Sequence, residues 1–158
     1  MRFRLALAAA IGLATSGQTP DTPGMMARIR TEVESKLPGF TYEFGNVFAE
    51  HEPPVVEGFV LRWRAENDFL NVSCDQYTSA DDAIRRLRGL RWELSAGVPQ
   101  PLPGVADEAY FLNAFSHSIY FARRRYVCQG GSLHSATTAR TLMDIVIAQI
   151  DSAASLRS

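Results

Sequence analysis

The chain predicts an α+β domain, an antiparallel sheet of about six strands with amphipathic helices packed on it, in the order α-β-β-β-α-β-β-β-α. Three observations carry this. Period-two apolar alternation comes in two groups of three segments, at residues 40–44, 59–64 and 70–75 and again at 108–115, 118–122 and 126–129. Segments of helical periodicity precede the first group and follow each of the two. Short links between neighbouring strands favour antiparallel hairpins, and helices with a single apolar stripe have to cover a sheet face.

The first helix is predicted over about 24–37. Asp21 or Thr22 suits its N-cap, Pro23 suits the first helical position, and Met26, Ile29, Val33 and Leu37 recur at three- and four-residue spacing until Pro38-Gly39 stops the run. In the first three strands Phe40, Tyr42 and Phe44, then Phe59, Leu61 and Trp63, then Leu70, Val72 and Cys74 are expected to point inward, with polar residues between them. The link 65–68 makes the second and third strands a hairpin, whereas Glu50-His51-Glu52-Pro53-Pro54 is a longer, solvated loop.

Thr78 or Ser79 with Asp81 or Asp82 three residues on opens a second helix whose inner face is Ala83, Ile84, Leu87, Leu90 and Leu94. Residues 97–104, with Pro99, Pro101 and Pro103, form an extended connector expected to cross one end of the sheet. Three more strands and a closing helix over 136–152 follow. That helix is capped by Ser135 and striped with Ala139, Leu142, Met143, Val146, Ile147 and Ile150.

The start of the chain has the form of a cleavable export signal. A basic tip with Arg2 and Arg4 leads into the apolar run 5–13 and then into Ala14, Thr15, Ser16 and Gly17, which predicts cleavage near Ser16. The apolar run is less than half of the roughly 20 residues that a membrane-crossing helix needs, so no span is expected in the mature form. The domain plan is therefore a signal at 1–17, a Pro/Thr-rich linker at 18–24, one domain at 25–152 and a tail at 153–158. Localisation is expected to be periplasmic or secreted.

Charge narrows the partners. The chain has 16 basic and 17 acidic residues, and losing Arg2 and Arg4 takes the net charge to −3, which gives no reason to expect nucleic acid. No metal-ligand set or cofactor motif is present in the sequence, so no metal and no cofactor are expected.

Cys74 and Cys128 each close a predicted strand just before a helix. In an oxidising compartment they are candidates for a disulfide if those strands are neighbours; two separate buried thiols fit the pattern equally. Cys128 with His134 or His117 is the arrangement to try for a thiol nucleophile, but neither spacing nor a local motif supports it. The arginines are the surface feature with binding potential. Arg85, Arg86, Arg88 and Arg91 on the second helix, with Arg123, Arg124 and Arg125 at a turn, form a candidate patch for an anionic partner.

The segment 105–111, Val-Ala-Asp-Glu-Ala-Tyr-Phe, then Ile119-Tyr120-Phe121 and Tyr126-Val127-Cys128-Gln129 before a terminal helix, resembles the second half of small exported bacterial domains of the PsbP/Mog1 type. The likeness covers roughly residues 104–150. Arg123-Arg124-Arg125 departs from it, since such hairpins usually carry Gly at the tip. What the resemblance implies is a non-enzymatic accessory or binding role, with no site residues transferred.

The expected function is thus an exported binding domain that contacts a protein or envelope component. Two alternatives stand beside it. One is a small exported hydrolase; the other is an inhibitor or immunity-type protein that inserts the proline-stiffened loop 98–104.

Overall fold

The computed structural model describes residues 21–49, 53–93 and 97–155, the side chains of 91–93 apart. The predicted signal, the loop residues Glu50-His51-Glu52 and Leu94 lie outside the described residues. The elements are α1 (Thr22–Lys36), β1 (Thr41–Phe48), β2 (Val55–Arg64), β3 (Phe69–Tyr77), α2 (Ala80–Glu93), β4 (Gln100–Pro101), β5 (Glu108–Asn113), β6 (His117–Arg123), β7 (Tyr126–Ser132) and α3 (Ala136–Ser155). The strands make one antiparallel sheet in the order β1-β2-β3-β7-β6-β5-β4. Two three-stranded meanders meet through their last strands, β3 and β7, with Cys74 directly opposite Cys128.

Helices cover the two faces unequally. On one face α1 and α3 bury Met25, Ile29 and Val33 with Leu142, Met143, Val146 and Ile150 against Phe59, Leu61, Trp63, Leu70, Val72 and Phe121. On the other, α2 sets Ala83 and Leu87 against Tyr110, Leu112, Tyr120, Ala122 and Val127. Neighbours on one strand divide between the two cores, Ile119 and Phe121 to the first and Tyr120 and Ala122 to the second, as the two-residue period of a strand requires. Each large side chain so buried contributes about 1.5–3 kcal/mol. Gly130 faces α3 at close range: a Cβ there would lie 2.4 Å from the end of Met143.

The caps act as their residue types suggest. The Gly24 N–H donates to the Asp21 carboxylate at 3.1 Å, the Asp82 N–H to Ser79 Oγ at 3.1 Å, and the Thr138 N–H to Ser135 Oγ at 3.1 Å.

Several boundaries differ from expectation. Because Asp21 is the cap, α1 takes in Thr22–Gly24, which the sequence assigns to the linker, and its buried register is Thr22, Met25, Ile29 and Val33 with Met26 at the margin. The predicted tail loses residues 153–155 to α3, which continues to Ser155.

The connector does not simply cross the end of the sheet. Gln100 and Pro101 pair with Phe111 and Tyr110, and the Leu102 N–H donates to the Ala109 carbonyl at 2.9 Å, so a short seventh strand runs along the β5 edge. This ties down the loop expected to insert into a target. Leu102 packs on the core, and Val98 projects at 85% exposure.

The largest correction concerns the first strand. Alternation places Phe40, Tyr42 and Phe44 on one face, but the register shifts between Tyr42 and Phe44: Tyr42 opposes Trp63, and Phe44 opposes Arg62. Trp63 and Arg62 point to opposite faces of β2, so the β-bulge at Glu43 reverses the phase of the rest of the strand. Tyr42 stays on the core, its ring edge-on to Trp63 at 6.1 Å, while Phe44 emerges on the far face, 43% exposed.

Candidate functional site

The predicted arginines are largely occupied by carboxylates. At the β6–β7 turn, Arg123 forms ion pairs of 2.8 Å with both Asp107 and Asp151, and the Arg124 guanidinium meets Asp151 at 3.1 Å. Arg124 adopts φ +53°, the turn position that usually takes Gly, and its N–H donates to Asp107 at 2.6 Å. The hydrogen bond from Arg123, reinforced by Arg124, holds the Asp151 carboxyl below its ordinary range.

On α2, Arg85 pairs with Asp82 at 2.9 Å and Arg88 with Glu108 at 2.8 Å, while the Tyr110 hydroxyl donates to Glu108 at 2.6 Å. Hydrogen bonds from Ser79 and Thr78 lower the Asp82 carboxyl. Arg86 is engaged as well. The Arg91 side chain lies outside the described residues. Arg125 is exposed at the turn.

The two arginine groups are engaged by neighbouring carboxylates. Asp107 and Glu108, adjacent at the head of β5, each take one group: Asp107 binds the turn, and Glu108 binds α2. The adjacent carboxylates act on different elements, as side chains that alternate along a strand must. Partly exposed pairs like these contribute about 1 kcal/mol or less each, and they offset the charge of Arg85, Arg88, Arg123 and Arg124.

Cys74 and Cys128 are bonded, with S–S 2.02 Å and Cα–Cα 4.1 Å, and both are buried in the core. With both sulfurs in the bond there is no Cys128 thiol to act as a nucleophile, which corrects the thiol version of the hydrolase expectation. Of the candidate bases, His117 stacks on Phe111 with the rings 9° from parallel, and the His134 backbone N–H donates to Ser132 Oγ at 3.3 Å.

The surface without such partners lies elsewhere. α2 covers the β6–β7 part of its face and reaches β3 near Tyr77, so among the described residues no helix covers that face over β1, β2 and the first half of β3. The register orders its side chains into rows. Phe44, Arg62 and Asn71 form one row, and Asn46, Val60, Ser73 and Gln129 form the next. In a third row Phe48 lies over Gly58, where a Cβ would stand 2.2 Å from the ring.

At the β2–β3 hairpin end this face opens into a cleft of about 460 Å³, lined by Arg62, Arg64, Glu66, Phe69 and Leu133 among others. Phe69 opposes Arg64 and is 38% exposed. Arg64 is held by Glu43 at 2.7 Å, whereas Arg62 is exposed and has no acidic partner among the described residues. The cleft floor is firmly set: Asp68 accepts from Ser132 Oγ at 2.6 Å and from the Leu133 N–H at 2.8 Å, tying the hairpin to the end of β7. Two exposed rings beside Arg62 and the Glu43-bound Arg64 make a contact surface of aromatic and arginine character, the composition enriched at interface hot spots.

Sequence reasoning missed Phe44, Arg62 and Phe69. Phe69 carried a signal, since it is out of phase with Leu70, Val72 and Cys74. Phe44 carried none, because the bulge that exposes it leaves no mark in the alternation.

No protein-family model matches the chain, and no curated protein matches it in sequence. A solved structure does match in fold: the crystal structure of the extracellular domain of PknH from Mycobacterium tuberculosis, at TM-score 0.56 and 8% identity, over 77% of this chain and 91% of that one. Among the described residues no helix is long and apolar enough to cross a membrane.

Proposed function

We propose that the chain is an exported, non-enzymatic binding domain that meets a protein or envelope component through the helix-free half of its sheet. The carrying observation is the placement of Phe44 and Phe69, both exposed, beside Arg62 and Arg64 on one uncovered face. An aromatic ring supplies large contact area at small entropic cost, and an arginine without an acidic partner supplies directional hydrogen bonds.

Three observations support the exported setting: the signal-like start of the sequence, the buried disulfide of a kind that persists in oxidising compartments, and the fold likeness to an extracellular domain. The resemblance of residues 104–150 to exported PsbP/Mog1-type domains points the same way. The ion pairs at Arg85, Arg88, Arg123 and Arg124 favour this face over the arginine-bearing edge, which is the second reading of where a partner would bind.

The test is affinity capture from envelope extract with the unmodified protein, a Phe44→Ala/Arg62→Glu/Phe69→Ala variant and an Arg85→Glu/Arg86→Glu/Arg88→Glu variant. The proposal expects a captured partner that is lost with the first variant and retained with the second, each variant keeping its circular dichroism. Retention with the first variant and loss with the second would move the site to the arginine-bearing edge.

A further inference from the structure

The two edges of the sheet are built differently. β4 is two residues long, contains Pro101 and is flanked by Pro99 and Pro103, a combination that prevents another strand from pairing there. β1 is eight residues long and contains no proline and no basic residue. Its single ionised side chain, Glu43, sits in the bulge and is held by Arg64 of its own sheet. From Phe44 to Phe48 the outer edge therefore carries, among the described residues, none of the usual devices against pairing.

The same five residues are self-complementary. Phe44, Asn46 and Phe48 share the helix-free face, as their partners Arg62, Val60 and Gly58 show, so that face reads Phe-Asn-Phe in either direction. A twofold interface requires a surface that fits itself when reversed. We propose that the outer edge of β1 pairs antiparallel with β1 of a second copy, centred on Asn46, joining two seven-stranded sheets into one.

In that register Phe44 faces Phe48 of the second copy, and the reverse pair repeats the contact. Two aromatic cross-strand pairs then flank an Asn46–Asn46 pair whose amides can hydrogen-bond to each other. On the opposite face Gly45 meets Val47, a small residue against a branched one. Glu43 faces Ala49 and not its own copy, so the strand's carboxylate meets no like charge. The Phe44 ring, 43% exposed, acquires a further aromatic neighbour. A foreign strand would have no need of this reversal symmetry, which is why the second copy is the favoured occupant.

Sedimentation velocity of the purified protein tests this without any partner present. The mass is expected to rise from monomer toward dimer across roughly micromolar to millimolar protein. Asn46→Lys and Asn46→Glu, each placing like charges across the twofold, are expected to stay monomeric when run alone and to dimerise when mixed. A wild-type monomer at every concentration, a dimer that survives in either variant alone, or no association in the mixture overturns the proposal.

Amide exchange on the unmodified protein is independent of whether the variants fold. Exchange at residues 44–48 should slow as concentration rises, and exchange that is indifferent to concentration also overturns it. Since these readouts need no captured ligand, their failure leaves the binding-face reading standing, and the converse holds.

Discussion

Cys74 and Cys128 face each other across β3 and β7, their Cα atoms 4.1 Å apart, and their bond crosses the seam where the two meanders join. That separation is close to the roughly 4.5 Å of the narrow pair in an antiparallel ladder, so the strands themselves bring the sulfurs together. With a sequence separation of 54 between the cysteines, the bond restricts the unfolded chain more than any local contact does. Replacing both by Ala is expected to cost about 4 kcal/mol in the chain-entropy limit, read as a lower urea midpoint. Both sulfurs being buried, reductant alone should leave the bond intact, and reductant with denaturant should open it; mass analysis after alkylation checks this.

The clasp at the β6–β7 turn predicts an acid-sensitive element. Arg123 first, then Arg124, hold the Asp151 carboxyl below its ordinary range in the folded state. A carboxyl with a depressed folded pKa contributes stability that is present above its unfolded value, near about 3.9, and is lost as pH falls through the folded value. Asp151→Asn should therefore cost about 1 kcal/mol at neutral pH. The cost should shrink below about pH 4, measured by urea unfolding at both pH values.

The same turn predicts a difference between substitutions at one position. Arg124 sits at φ +53°, where a β-branched residue is strained by about 1–2 kcal/mol and Gly is not. Arg124→Gly loses the exposed contact to Asp151 but gains backbone freedom in the turn, and is expected to stay within about 0.5 kcal/mol of the parent. Arg124→Ile loses the contact and adds strain. Thermal unfolding of the two variants side by side should separate them by several degrees.

Tyr120 predicts the alkaline limit. It is buried under α2, and burial pushes its phenol above its ordinary value. A group whose folded pKa is raised contributes stability that is fully present below the unfolded value, near about 10, and is lost as pH rises through the folded one. Tyr120→Phe should thus flatten the loss of stability above about pH 10, compared with the parent by urea unfolding at pH 8 and pH 11.

What could be read directly from the sequence was whatever depends on neighbours along the chain. Period-two alternation placed Phe59, Leu61 and Trp63 and also Leu70, Val72 and Cys74 in the core, and Asp21 or Thr22, Thr78 or Ser79, and Ser135 marked the three caps, because strand facing and capping are settled within a few residues. The sequence by itself therefore determined the α+β class, the order of elements and the disulfide as a possibility.

Only the tertiary structure decided the rest. The bulge at Glu43 depends on the register against β2, so Phe44 turns outward although its own neighbours say inward. The arginine groups are offset by Asp107, Glu108 and Asp151, two of which lie 16 to 28 residues away from Arg123. Sheet order made β3 and β7 neighbours, which turned two cysteines into a bond and left β1 as an edge strand among the described residues. Each of these outcomes depends on which distant segments share a ladder or a face, and long-range pairing of that kind is invisible to local periodicity.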